Sequence, residues 1–110
     1  MKSAGPGFVM KIYLDETDLL DGKSLYEAIV LKARELGLAG ATVIRGIMGY
    51  GAQSRIHAAK VLRISDDLPV IIELVDSLQN LERIKPFLED NVKEGLITLE
   101  KVEVIKYRKV

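Results

Sequence analysis

The apolar pattern of this chain switches repeatedly between strand-like alternation and helical spacing, and the order of the switches leaves few folds open. Phe8, Met10, Ile12 and Leu14 alternate with Val9, Lys11 and Tyr13, which predicts a strand over 8–15. After the turn signal Asp21-Gly22, residues Leu25, Ala28, Ile29, Ala33 and Leu36 recur at helical spacing, with Gly37 as a left-handed stop. Ser24-Leu25-Tyr26-Glu27 has the spacing of a capping box, in which the Ser24 hydroxyl accepts the amide of Glu27 and Glu27 reaches back. Thr42, Val43, Ile44 and Ile47 predict a second strand over 41–48, ended by Gly49-Tyr50-Gly51. Residues 52–59 are small and polar, a loop; 60–64 is an extended segment, followed by a turn at Ser65-Asp66-Asp67. A third strand covers 69–75, and Ser77 caps a second helix to about Asp90, bent by Pro86. Gly95 opens a last strand region to about Tyr107, with a break near Glu100-Lys101 where the alternation slips.

The order β-α-β-β-α-β predicts an α+β, ferredoxin-like sandwich: a four-stranded antiparallel sheet with two helices on one face. At 110 residues the chain has room for one core, which assigns 1–7 to a flexible tail and 8–110 to a single domain. Two helices cover one sheet face only. The other is expected to carry Val9, Lys11 and Tyr13, then Val43, Arg45 and Ile47, then Ile71, Glu73 and Val75. Each set is mainly apolar around one charged residue, and a contiguous apolar surface of that kind predicts an oligomer.

Charge and composition remove several function classes. Lys plus Arg and Asp plus Glu both number 16, so no basic surplus supports general nucleic-acid binding. The strands also lack paired aromatics for stacking bases. With no Cys and His57 as the single His, a thiolate or His-based metal site is disfavoured, and with it a metal-tolerance trimer. No catalytic constellation surrounds His57, whose titration could tune ligand binding. A small ferredoxin-like enzyme acting on a phosphorylated metabolite, of the acylphosphatase type, would need a glycine-rich loop after the first strand, which is missing. No apolar run approaches a membrane span and the start lacks a signal-peptide core, so a cytoplasmic protein is expected. Abundant Lys and Glu without Cys or Trp suit a thermophile.

Arg45-Gly46-Ile47-Met48-Gly49-Tyr50-Gly51 is the most unusual stretch. Glycines at a strand exit let backbone amides approach a ligand, and successive amides can cradle a phosphate; the same glycines also serve structure alone. Arg45 suits a phosphate contact and equally an ion pair with Glu73 on a shared sheet face. Tyr50 can stack on a base or pack at a subunit boundary. Arg55, His57, Lys60 and Arg63 are either a solvated loop or a basic loop that closes on an anion. Asp66 and Asp67 are turn residues.

At these residues the chain resembles a known family. Gly37-Leu38-Ala39-Gly40-Ala41-Thr42-Val43-Ile44 followed by Gly49-Tyr50-Gly51-Ala52-Gln53 is similar to the second strand and loop entry of nitrogen-regulatory PII proteins. The match is nearer still to the PII-like family known as domain of unknown function 190. Arg45 to Gly51, the following His57, and Asp67-Leu68-Pro69 fit its pattern, and the likeness runs along nearly the whole chain after residue 8. The resemblance implies a homotrimer with an adenine nucleotide in each inter-subunit cleft, whose occupancy resets a mobile loop that touches a target protein such as a membrane transporter or an enzyme. It also implies nucleotide-binding roles for Arg45, Gly46, Met48, Gly49, Tyr50, Gly51 and Gln53 at the loop base, and for Glu73 beside the cleft. Lys106 and Arg108 match the basic positions that reach a neighbour's phosphates. Ala52 replaces the Arg of PII proteins, and Asn91-Val92-Lys93-Glu94-Gly95 replaces their glycine-rich phosphate loop. Fewer phosphate contacts favour AMP or ADP, with ATP as a further candidate. The loop is short, and no uridylylation-site Tyr is identifiable in it.

Overall fold

In chain order the elements are β1 (Gly5–Asp15), β2 (Leu19–Leu20), β3 (Lys23–Ser24), α1 (Leu25–Glu35), β4 (Gly40–Arg45), β5 (Met48–Gly49) and β6 (His57–Ala58). There follow β7 (Pro69–Asp76), α2 (Leu78–Leu81), a 3-10 turn (Glu82–Ile84), α3 (Lys85–Asn91) and β8 (Leu96–Val104). The computed structural model describes residues 4–50, 57–58 and 68–108. The long strands form a four-stranded antiparallel sheet in the order β4-β7-β1-β8, with the helices on one face, the ferredoxin-like arrangement. Gly5, Pro6 and Gly7, expected to lie in a tail, pair with Val104, Glu103 and Val102 at the start of β1.

Alternation in β1 and β7 builds the core directly. Met10, Ile12 and Leu14 of β1 and Val70, Ile72 and Leu74 of β7 are buried against the helices. Each such side chain contributes about 1.5–3 kcal/mol by leaving water. From α1, Leu25, Ile29 and Ala33 close the layer; from the second helical segment, Leu81, Ile84 and Leu88 do so. That second stripe stays in register although the helix is interrupted. The expected bend takes the form of the 3-10 turn, which places Pro86 in the first turn of α3, where its missing N–H costs no hydrogen bond.

Helix ends follow two different rules. Ser77 caps α2 as expected, its hydroxyl accepting the Asn80 amide at 3.2 Å. The capping box at Ser24 does not form. Ser24 pairs with Leu19 in the β2–β3 hairpin and makes no side-chain cap, while the Leu25 amide donates to the Asp18 carbonyl at 2.8 Å. At the other end of α1, Gly37 adopts φ +75° and the Leu38 amide returns to the Ala33 carbonyl at 3.0 Å.

Asp76 is the buried charged residue of the described core. Its carboxylate accepts the Ser77 amide at 2.6 Å, the Ala39 amide at 2.9 Å and the Asn80 side-chain amide at 3.0 Å. Burial alone would raise its pKa. Hydrogen bonds from Asn80, Ser77 and Ala39 are among the interactions that lower it, and the carboxyl stands below the ordinary aspartate value.

The last strand differs from expectation. It runs unbroken from Leu96 to Val104, through Glu100-Lys101, and residues 105–108 lie beyond it. The ladder with β1 is continuous from Tyr13↔Leu96 to Gly5↔Val104, so main-chain pairing overrides the lapse in side-chain alternation. Because the helices pack over β4, β7 and β1, Ile97 and Leu99 on the helix side of β8 stay more than 40% exposed.

Candidate functional site

The parity of β4 decides which of its side chains share a face with β7 and β1. In the ladder, Ala41, Val43 and Arg45 lie opposite Leu74, Ile72 and Val70, all of which point to the helices. Thr42 and Ile44 lie opposite Glu73 and Ile71, on the open face. The expectation that Val43 and Arg45 join the open face is therefore corrected by one residue. Ile47, grouped with them, lies past the end of β4 and is 84% exposed. The run Thr42-Val43-Ile44 is β-branched at every position, so no alternation in it marks the buried side.

The open face is then three rows deep. Ile44, Ile71, Tyr13 and Leu96 form one apolar row across β4, β7, β1 and β8. Thr42, Glu73, Lys11 and Thr98 form a polar row next to it, and Gly40, Val75, Val9 and Glu100 the third. Glu73 thus faces Lys11 and Thr42, and the ion pair expected between Glu73 and Arg45 does not form. Lys11 also comes within 4.0 Å of Glu100. Among the described residues no helix covers this face.

Arg45 instead pairs with Glu16, which follows the end of β1 on the helix side. The Glu16 amide donates to the Leu68 carbonyl at 2.8 Å, and the Gly46 amide donates to the Pro69 carbonyl at 2.7 Å. These two bonds join the ends of β1 and β4 to the entry of β7. Gly46 and Gly49 both lie against Pro69: a Cβ at Gly46 would stand 2.9 Å from the proline Cγ, and one at Gly49 would stand 3.2 Å from it. Both glycines therefore have a packing reason, independent of any ligand. Past Arg45 the chain exposes Ile47, Met48 and Tyr50. Met48 and Gly49 pair with Ala58 and His57, so part of the expected loop is a short β-bridge.

Of the other predicted site residues, Gly51 and Gln53 lie outside the described residues, as do Arg55, Lys60, Arg63, Asp66, Asp67 and the segment expected to be extended over 60–64. Lys106 and Arg108 follow β8 beyond Val104, which pairs with Gly5 at the opposite end of the sheet from Arg45. Arg45 is level with Leu14 through Val70, nine residues of β1 away from Gly5, which corresponds to about 30 Å along the strand. They also lie on opposite edges, β4 and β8. One chain brings the loop base together at Arg45 to Tyr50; it does not bring Lys106 or Arg108 near it, and Glu73 stands in the middle of the open face. Glu16 was not singled out from the sequence. A lone carboxylate after a strand carries no pattern, and its relation to Arg45 depends on the parity of β4.

The model of the family called domain of unknown function 190 (DUF190), described as "Uncharacterized ACR", matches residues 7–104. The chain belongs to the DUF190 family. A UPF0166 protein of Aquifex aeolicus is 41% identical over 99 residues, covering 88% of this chain and 91% of its own length. A UPF0166 protein of Methanocaldococcus jannaschii is 39% identical, with 89% and 91% covered. Among solved structures, the fold is similar to a putative PII-like signalling protein from Thermus thermophilus, with a TM-score of 0.65, 18% identity, and 96% and 94% of the two chains covered. It is also similar to CPII of Thiomonas intermedia, a nitrogen regulatory PII-like protein bound to ADP, AMP and bicarbonate. That match has a TM-score of 0.63 at 18% identity and covers 92% and 90% of the chains. This DUF190 chain thus has a PII-like, ferredoxin-like fold.

Proposed function

We propose that this DUF190 protein is a PII-like regulator that binds an adenine nucleotide between subunits of a homotrimer and controls a partner protein through the loop after β5. The separation of its two predicted ligand-contacting groups carries the reading. Arg45 to Tyr50 and the pair Lys106 and Arg108 lie at opposite ends and edges of one sheet, so a single ligand meets both only when a second copy supplies one of them.

The open face supports the same assembly. Its apolar rows, with Ile44, Ile71, Tyr13 and Leu96 in one and Val75 and Val9 in the other, are what a neighbouring subunit would bury. The Lys11–Glu73 cross-strand pair would impose orientation on that contact. CPII binds ADP and AMP, and the two cationic positions of the tail fit the phosphates of such a ligand. AMP or ADP is favoured over ATP, because Ala52 and the segment 91–95 lack phosphate-binding groups found in PII proteins. The reading puts the protein in the cytoplasm, gives it no catalytic step, and leaves its target to be identified by the loop it engages.

Calorimetric titration with AMP, ADP, ATP and cyclic AMP, beside light-scattering mass, tests the reading. Saturable binding at one nucleotide per subunit of a trimer supports it. A trimer that binds none of the four removes the nucleotide, and a monomer removes the composite site.

A further inference from the structure

The Glu16–Arg45 pair is unequal in its burial. The Glu16 side chain is 14% exposed and the Arg45 side chain 62% exposed. One carboxylate oxygen of Glu16 accepts from the Arg45 Nη2, and the other, Oε2, is buried with no hydrogen-bond partner among the described residues. The Glu16 backbone is itself fixed by the hydrogen bond its N–H donates to the Leu68 carbonyl. A carboxylate placed in this way depends on its arginine. Withdrawing the guanidinium would leave a largely buried negative charge uncompensated, which is costly. Arg45 is thus held at one nitrogen of its five-donor fork while its side chain remains largely exposed, directly before the Gly46–Tyr50 stretch.

An exposed arginine with no anchor would sample many rotamers, and ordering it on a ligand would reduce affinity. We propose that Glu16 is a positioning residue for nucleotide binding: it holds the Arg45 guanidinium oriented for a phosphate of the bound nucleotide. The inference rests on the nucleotide reading above. Because Glu16 cancels the charge of Arg45, the contribution of this arginine is directional and short-range rather than a general attraction for anions. Lysine at position 45 would keep the charge but lose the planar fork, so it would not replace arginine.

The test is a double-variant cycle read by AMP titration on the full-length protein, with thermal melting and light-scattering mass as controls. Glu16→Ala is expected to weaken AMP binding about tenfold, whereas Glu16→Gln, which keeps a carbonyl acceptor for Arg45, weakens it less than about threefold. In an Arg45→Ala background, or in Arg45→Lys where binding to the alanine variant is too weak to measure, Glu16→Ala is expected to have no further effect. Should Glu16→Ala fail to fold, Glu16→Asp takes its place with the same expected loss, since the shorter side chain withdraws from the guanidinium. Wild-type affinity in Glu16→Ala overturns the positioning role, as does an equal loss with and without Arg45. Where the wild-type protein binds ADP or ATP in place of AMP, the cycle is read with that nucleotide; if it binds none of AMP, ADP, ATP and cyclic AMP, the nucleotide reading falls and this inference falls with it.

Discussion

The carboxylate of Asp76 accepts the backbone amide of Ala39 at 2.9 Å, tying the end of β7 to the turn between α1 and β4. The same side chain receives Ser77 and Asn80 at the start of α2, so one buried charge fastens both helix connections at the same end of the sheet. Replacing it by Ala would strand those donors and is expected to cost about 2–4 kcal/mol in urea unfolding. The pH dependence has a definite sign. The folded-state pKa is depressed, so the stabilisation is fully present above the unfolded-state value and is lost as pH falls through the folded one. Asp76→Asn should unfold with a flatter pH dependence in the acid range; an unchanged slope would mean that other carboxylates govern it.

Gly46 has no room for a side chain. An added Cβ would meet the Pro69 Cγ at 2.9 Å and the Pro69 carbonyl oxygen at 3.3 Å. Gly46→Ala is expected to lose about 1–3 kcal/mol, with Gly49→Ala losing less because its approach to Pro69 is 3.2 Å. Combining Gly46→Ala with Pro69→Ala should recover part of the loss, and simple additivity of the two would show that the contact is not the cause.

Ile71 lies between Ile44 and Tyr13 in the apolar row of the open face. In the proposed trimer, Ile71→Lys would bury a charge without a partner at the subunit contact. Light scattering should then report a monomer while circular dichroism stays native. A trimer of unchanged mass would place the interface elsewhere.

A composite site makes a prediction about mixtures. Arg45→Ala and the double variant Lys106→Ala/Arg108→Ala should each weaken AMP binding by about tenfold or more. Trimers formed by refolding the two variants together would contain some clefts with both wild-type halves. Those mixtures should recover part of the strong binding in a titration, whereas recovery would be absent if both groups belonged to a site within one chain.

The candidate site was legible in the residues only unevenly. The glycine-rich exit of β4 and the basic tail stand out by composition, and both belong to the nucleotide site proposed above. Glu16 was not legible, because nothing in its neighbours marks it and its partner lies 29 positions away. The pairing of Arg45 with Glu73 was a reasonable expectation from two charges on adjacent strands, but it required a parity that Thr42-Val43-Ile44 could not supply.

By itself the sequence determined the order of elements, the buried sides of β1 and β7, the stripe of α1 and the interruption of the second helix. Each of these follows from local periodicity or from a residue such as Pro86, whose effect is confined to its own backbone. The tertiary structure decided the face of β4, the partner of Arg45, and the unbroken course of β8. It also decided that Ser24 would serve a hairpin rather than cap a helix. These depend on pairing across the sheet: a one-residue choice of register sends every side chain of a strand to the opposite face, and only packing against β7 makes that choice.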